Sequence, residues 1–206
     1  MRHERTETAR IIVAFGDFSH FTSFEESVTN PETEFDPLFE DFDDFIDATE
    51  KRTGYSFTDT GDGFMCTVDL AQGHGCGVAS KVLEDLWRTL IRIQKFIRDK
   101  EPPRPTGFRI RIATGYVRRK VKHNGTVVLR GRHINLAHHL LDVGRTHSFL
   151  VHDSVKQLLN PVQIRRCGFS FKKFEPSESD LTKVSPLNAR SLWIFKVAKR
   201  RRRGVA

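Results

Sequence analysis

Cysteine is nearly absent from this chain, and the little there is argues against a disulfide framework. Cys66, Cys76 and Cys167 are scattered, odd in number and without metal-site spacing. The stretch GHGCG at 73–77 offers His74 and Cys76 as a ligand pair, but a glycine-rich loop leading into a helix accounts for it better. No apolar run approaches the length needed to span a bilayer. The opening MRHERTETAR lacks the apolar region of a secretory signal. These absences predict a cytoplasmic protein with no membrane span. Tyrosine is scarce as well, with two residues against seventeen phenylalanines, a choice of aromatic that favours a well-filled core.

What is present fits one globular domain of 206 residues, large enough for a substantial core. We expect an N-terminal extension over 1–9, a folded domain over 10–198 and a basic tail over 199–206. The formal net charge is +8, and much of the excess lies at the end, in KVAKRRRRGVA. Such a run is usually a solvated tail. Anionic nucleotide substrates would also suit a basic protein, and charge by itself does not choose between these readings.

Along the chain, residues 10–16 read as a strand. From about 31 to 51, Phe35, Leu38, Phe39, Phe42, Phe45 and Ile46 recur at helical spacing, with Glu40, Asp41, Asp43, Asp44 and Asp47 on the other face. GYSFTDTGDGFMCTVDL reads as a hairpin around a tight TGDG turn, where Gly61 and Gly63 permit positive φ. A long helix follows, GVASKVLEDLWRTLIRIQKFIRDK, stopped by EPPRPTG. FRIRIATGYV and TVVLRG are strands, RHINLAHHLLDV a helix, SFLVHD a strand and SVKQLL a short helix. QIRRCGFSFKKFE and SLWIFKV close the sheet, with EPSESDLTKVSPLNA between them as a polar loop. The order predicts a twisted sheet with helices packed on one face.

One residue stands out against this pattern. Asp17 lies at the exit of the apolar run IIVAFG, with no lysine or arginine near it in sequence, and a buried carboxylate is costly unless something positive meets it. Asp62, in the hairpin tip between two glycines, is a second carboxylate. In a β-α-β-β sheet the end of the first strand and the hairpin tip can lie side by side. Two converging carboxylates suit an oxygen-preferring cation and phosphoryl or nucleotidyl transfer. Asp-Gly turns are common, so TGDG alone carries little.

The ordered set of segments carries more. VAFGDFSHFTSF resembles the first metal motif of the class III nucleotide cyclases, and TDTGDGFMCTV resembles their second. FRIRIATGYV, RGRHINLAHHLL and SFLVHDSVKQLL are similar to the strand, helix and following segment that come next in that family. The resemblance spans residues 11–159. It implies an α+β fold: a ferredoxin-like βαββαβ palm core with extra C-terminal α/β elements, its helices packed on a mainly antiparallel sheet. It also implies that Asp17 and Asp62, with the Phe18 carbonyl, hold two Mg²⁺ or Mn²⁺ ions per site. Backbone amides of Ser19, His20, Phe21 and Thr22, beside Gly61 of the hairpin, would hold the triphosphate. Asn135 would orient the ribose, and Lys172 or Lys173 would reach the terminal phosphates. In this family the sites form in a head-to-tail dimer, with the aspartates from one chain and the asparagine from the other, so a homodimer is expected.

Two positions depart from the family pattern. The arginine expected one turn after the helix asparagine is His139 here, and Arg130, Arg132 or Arg145 are candidate replacements. Thr58 stands where adenylate cyclases have lysine and guanylate cyclases glutamate, and its partner position falls near Val128. Neither purine code is present. A small cyclase lacking both resembles the pyrimidine cyclases of bacterial Pycsar anti-phage systems. That implies conversion of UTP, or secondarily CTP, to the 3′,5′-cyclic monophosphate, read by a separate effector. Rival readings are an adenylate cyclase of the same family and a degenerate, nucleotide-binding domain. A nucleic-acid partner is disfavoured, because FRIRIATGYV shows no pair of outward aromatics.

Overall fold

Residues 11–18 are buried without a break, because they form the middle of β1 (Arg5–Ser19), a central strand covered on both faces. The strand begins well before residue 10, since Arg5 to Arg10 pair with the far end of β4 (Gly107–Val121). Alternate side chains of β1 enter different cores. Ile12, Ala14 and Phe18 face one, and Ile11, Val13 and Phe15 face the other.

The computed structural model describes residues 5–30, 36–70, 75–101, 104–124 and 126–197. The expectations for Phe35, for the GHGCG stretch up to His74 and for the tail beyond Val197 fall outside these residues; so does any account of the Cys76 side chain. Among the described residues, eight strands form one sheet. Its path runs β2 (Ser56–Asp59), β3 (Gly63–Asp69), β1, β4, β6 (Phe149–His152), β8 (Leu192–Val197) and β7 (Phe169–Lys173), with β5 (Val127–Arg130) added to β4. Every pairing is antiparallel except β4 with β6, so the expected α+β architecture with a mainly antiparallel sheet holds.

The helix expected near 31–51 is α2 (Asp36–Thr53), which follows α1 (Phe21–Ser27). Its Leu38 and Phe42 are buried and its acidic residues are exposed. With α3 (Gly75–Asp99) it covers one face of the sheet. Helices are not confined to that face: α4 (Arg132–His139), continued by a 3₁₀ turn at Leu140–Asp142, packs Ala137 against Val13, Ala113 and Val117 on the other. Among the described residues, no helix is long and apolar enough to cross a membrane.

The C-terminal part is more helical than its composition suggests. After α5 (Asp153–Lys156), QIRRC belongs to α6 (Pro161–Cys167), because Asn160 caps it reciprocally with Gln163 and Pro161 occupies its first turn. The expected polar loop contains α7 (Glu178–Lys183), capped by Ser177 and Asp180, and α8 (Pro186–Arg190). Serine, aspartate and proline there mark helix starts rather than loop.

The alternation in FRIRIATGYV would ordinarily mark a strand with one solvated face. Arg111 is instead fully buried under the 3₁₀ turn. It donates to the carbonyls of Leu140, Val143 and Gly144 at 3.0 Å each, and to that of Ile110 at 3.1 Å. A cation is well placed at a helix C-terminal end, where carbonyls lack amide partners.

Candidate active site

β1 delivers Asp17 to the sheet end where the β2–β3 hairpin turns back. Asp17 lies in register with Gly63 on one side and Arg109 of β4 on the other. The hairpin approaches closely: the Phe18 N–H donates to the Asp62 carbonyl at 3.0 Å. A Cβ on Gly63 would sit 2.0 Å from the Gly16 oxygen, so only glycine permits this contact. Gly61 takes φ +94° in the turn, as expected, whereas Gly63 is needed for space and not for a left-handed backbone.

The positive partner that Asp17 requires comes from β4. Arg109 Nη2 donates to Asp17 Oδ2 at 2.5 Å, both groups being largely buried. Nothing near Asp17 in sequence indicates this pairing; the strand register makes it. Burial raises the Asp17 carboxyl to about 6, Arg109 opposes the rise, and the neighbouring Asp62 carboxylate adds to it. The Asp62 carboxylate is thus an electrostatic neighbour of Asp17. Asp17 Oδ1 and Arg109 Nε are buried without a hydrogen-bond partner.

Beneath the pair, Phe18 is 1% exposed and packs on Phe42 and Phe108, with ring centroids 4.8 and 5.1 Å away. With its side chain committed to the core, Phe18 can offer a ligand only through its backbone. His20 follows in the left-handed region at φ 58°, unusual for a residue with a Cβ, and starts α1 without a side-chain cap. Ser19 and Phe21 are half-buried, and His20 and Thr22 are exposed. The buried oxygen of Asp17, the adjacent Asp62 and a strand-end carbonyl form a donor set made only of oxygen, which suits a hard divalent cation.

The other expected site residues lie elsewhere in the same chain. Asn135 and His139 are exposed, one turn apart on α4, and line a cleft of about 480 Å³ with Arg132, His152 and Lys183. Neither aspartate lines that cleft. His133 also lines it and packs over Gly115, where a Cβ would lie 1.9 Å from the ring nitrogen Nδ1. Thr58 is exposed and faces a second cleft of about 650 Å³, which Met65, Val127, Leu129 and Ile134 also line. Val128 points to the opposite face of β5, into a groove with Arg130. Thr58 and Val128 are therefore not brought together within one chain.

Lys172 and Lys173 lie on β7, three strands from β4 at the far end of the sheet path. Lys173 faces the Trp193 ring at 4.7 Å. Lys183, which carries no signal of its own within an apparent loop of the sequence, is the lysine that shares the cleft of Asn135. Of the arginines near α4, Arg132 lines that cleft and Arg145 pairs with Asp142 at 3.1 Å.

Residues 3–184 match the family described as the adenylate and guanylate cyclase catalytic domain. The fold is similar to the adenylyl cyclase CyaB from P. aeruginosa, with TM-score 0.68 and 18% identity over 96% of this chain and 98% of that one. It is also similar to the guanylate cyclase domain of RhGC from Catenaria anguillulae in complex with GTP, with TM-score 0.61 and 18% identity over 94% and 100%. A third similar structure is the guanylyl cyclase Cya2, with TM-score 0.63 and 14% identity over 96% of each chain. No curated protein matches the chain.

Proposed function

Because the chain belongs to the adenylate and guanylate cyclase catalytic domain family, and so is a nucleotide cyclase catalytic domain, we propose that it cyclises a pyrimidine nucleoside triphosphate, UTP ahead of CTP. The observation that carries the catalytic part is the approach of the hairpin tip to the end of β1, where the Phe18 N–H meets the Asp62 carbonyl, with Asp17 Oδ1 buried and unpartnered. Asp17, Asp62 and the Phe18 carbonyl would hold two Mg²⁺ or Mn²⁺ ions. Such ions, when bound, lower the pKa of a ribose 3′-hydroxyl and balance the charge that develops as pyrophosphate leaves.

The chain's own residues supply the rest. Arg109 fixes Asp17 through Oδ2 and leaves Oδ1 for a cation. The amides of Ser19–Thr22, which follow Asp17 in the chain and lead into α1, would hold the triphosphate. Asn135, Arg132 and Lys183 share a cleft that would position ribose and phosphates. The aspartates and that cleft do not meet within one chain, which supports a head-to-tail homodimer with two composite sites. His139, exposed where the family arginine is expected, can donate a hydrogen bond.

The base preference rests on Thr58. In the sequence Thr58 stands where family members carry the purine-reading lysine or glutamate, and it lines one cleft with Val127 and Leu129. One hydroxyl cannot satisfy a purine's Watson–Crick edge but can pair with a pyrimidine carbonyl. A cyclic pyrimidine nucleotide would then act as a messenger in anti-phage defence, read by a separate effector.

The test is incubation of purified protein with ATP, GTP, CTP and UTP in Mn²⁺, with products identified by mass and Asp62→Ala run in parallel. We expect cyclic UMP from the wild type and none from the variant. Cyclic AMP would keep the cyclase and replace the base assignment. No turnover at concentrations that sustain a dimer would point to a nucleotide-binding domain, with His139 as the reason.

A further inference from the structure

The cations of β4 are sorted between its two faces. On one face Arg119 approaches Glu7 at 3.6 Å and Asp69 at 3.7 Å. On the other, Arg118 lies directly opposite Arg130 of β5, and Lys120 is flanked by Thr6 of β1 and Val128 of β5. These residues and Lys122 line a groove of about 320 Å³, and among the described residues no carboxylate lines it. Like charges placed directly across a strand pair destabilise it, so Arg118 and Arg130 carry a cost that the isolated chain does not offset in this groove.

The same face carries Tyr116, which is 65% exposed. Its neighbour across the β1–β4 pair is Arg10, whose guanidinium lies 5.8 Å from the ring centroid. The phenylalanine of FRIRIATGYV is core, as expected, with Phe108 1% exposed. The outward aromatic is the tyrosine further along. Same-face residues of a strand recur about every 7 Å, so Tyr116, Arg118, Lys120 and Lys122 form a row: one flat ring followed by three cations.

We propose that this face binds single-stranded nucleic acid, with Tyr116 as a stacking platform for a base and Arg118, Lys120 and Arg130 contacting successive phosphates. Exposed ring and basic groove together are what sequence-tolerant single-strand binding uses. A membrane surface fits less well, since a flat strand face offers no large apolar side chains to insert. This proposal does not depend on the cyclase reading.

The experiment is fluorescence anisotropy of a short labelled single-stranded RNA titrated with the full chain over a range of salt, with the basic tail intact in every variant. Arg118→Gln/Arg130→Gln should weaken binding at least tenfold. It should also flatten the log–log salt slope by roughly 1.4, about 0.7 for each phosphate that is no longer neutralised. Tyr116→Ala should weaken binding about tenfold without changing the slope, and Tyr116→Phe should bind as the wild type does. The double variant should melt at or above the wild-type temperature, because it relieves the repulsion across the strand pair. If it does not fold, the Tyr116 pair of variants decides. Three results would overturn the proposal: no RNA binding at low salt, binding indifferent to these changes and hence carried by the tail, or equal affinity for duplex RNA. Tighter binding to phosphatidylserine vesicles, abolished in the double variant and indifferent to Tyr116, would give the face to a membrane instead.

Discussion

At Asp17 the two carboxylate oxygens have different surroundings: Oδ2 accepts from Arg109, and Oδ1 is buried with nothing to accept from. Burial holds the carboxyl near 6, so a cation of the proposed kind would compete there with a proton at an unusually high pH for an aspartate. Mn²⁺ affinity measured by calorimetry should therefore fall about tenfold from pH 7 to pH 5, as the ionised fraction falls. Arg109 opposes the rise, so Arg109→Gln should move this midpoint to higher pH; an unchanged midpoint would detach Arg109 from the site. Asp17 and Asp62 were legible in the sequence because each interrupts an expected pattern, a core strand in one case and a glycine-flanked turn in the other. Arg109 was not, because it lies 92 residues from its partner and only the strand register joins them. The left-handed His20 carries no sequence signal either, since glycine or asparagine would be expected there.

Among the elements, α4 depends on two buried charges behind it. Arg111 holds the carbonyls where the helix and its 3₁₀ turn end, and Asp180 of α7 accepts from the Gly144 N–H at 2.9 Å. Arg111→Met leaves those carbonyls unsatisfied and should cost about 3 kcal/mol in denaturant unfolding. Asp180 also accepts from the Ser177 N–H and hydroxyl, at 2.9 and 2.8 Å. Burial alone would raise its pKa, but these three donors outweigh it and hold the carboxyl below its ordinary value. The resulting stability is present above the unfolded-state pKa and lost as pH falls through the folded one. Asp180→Ala should accordingly cost about 2 kcal/mol at pH 7, with the gap to wild type closing in acid. Periodicity made α2, α3 and the hairpin legible. It failed for α6 and α7 because short helices held by reciprocal caps are built from the residues that also make loops.

For the whole molecule, the division of candidate residues between the aspartate pair and the α4 cleft predicts complementation. In a head-to-tail dimer, mixing Asp62→Ala with Asn135→Ala restores one intact site in each mixed dimer. About one quarter of wild-type turnover should then return from two inactive proteins, half the dimers being mixed and half their sites intact. No recovery would mean that both residues act within one chain. The fold class was legible because the segments follow one another in the family's order; the second helical face was not, because periodicity marks a buried stripe without saying what it packs against. The placement of β1 has a further consequence, in the history of each molecule rather than its finished form. The first strand of the chain pairs with β4 up to Val121, so more than half of the polypeptide must exist before its central strand has both neighbours. Folding is thus weighted towards long-range contacts, which form slowly. The Asp17–Arg109 pair is among the late arrivals, so a chain interrupted before β4 has neither a closed core nor a partner for the buried Asp17 carboxylate.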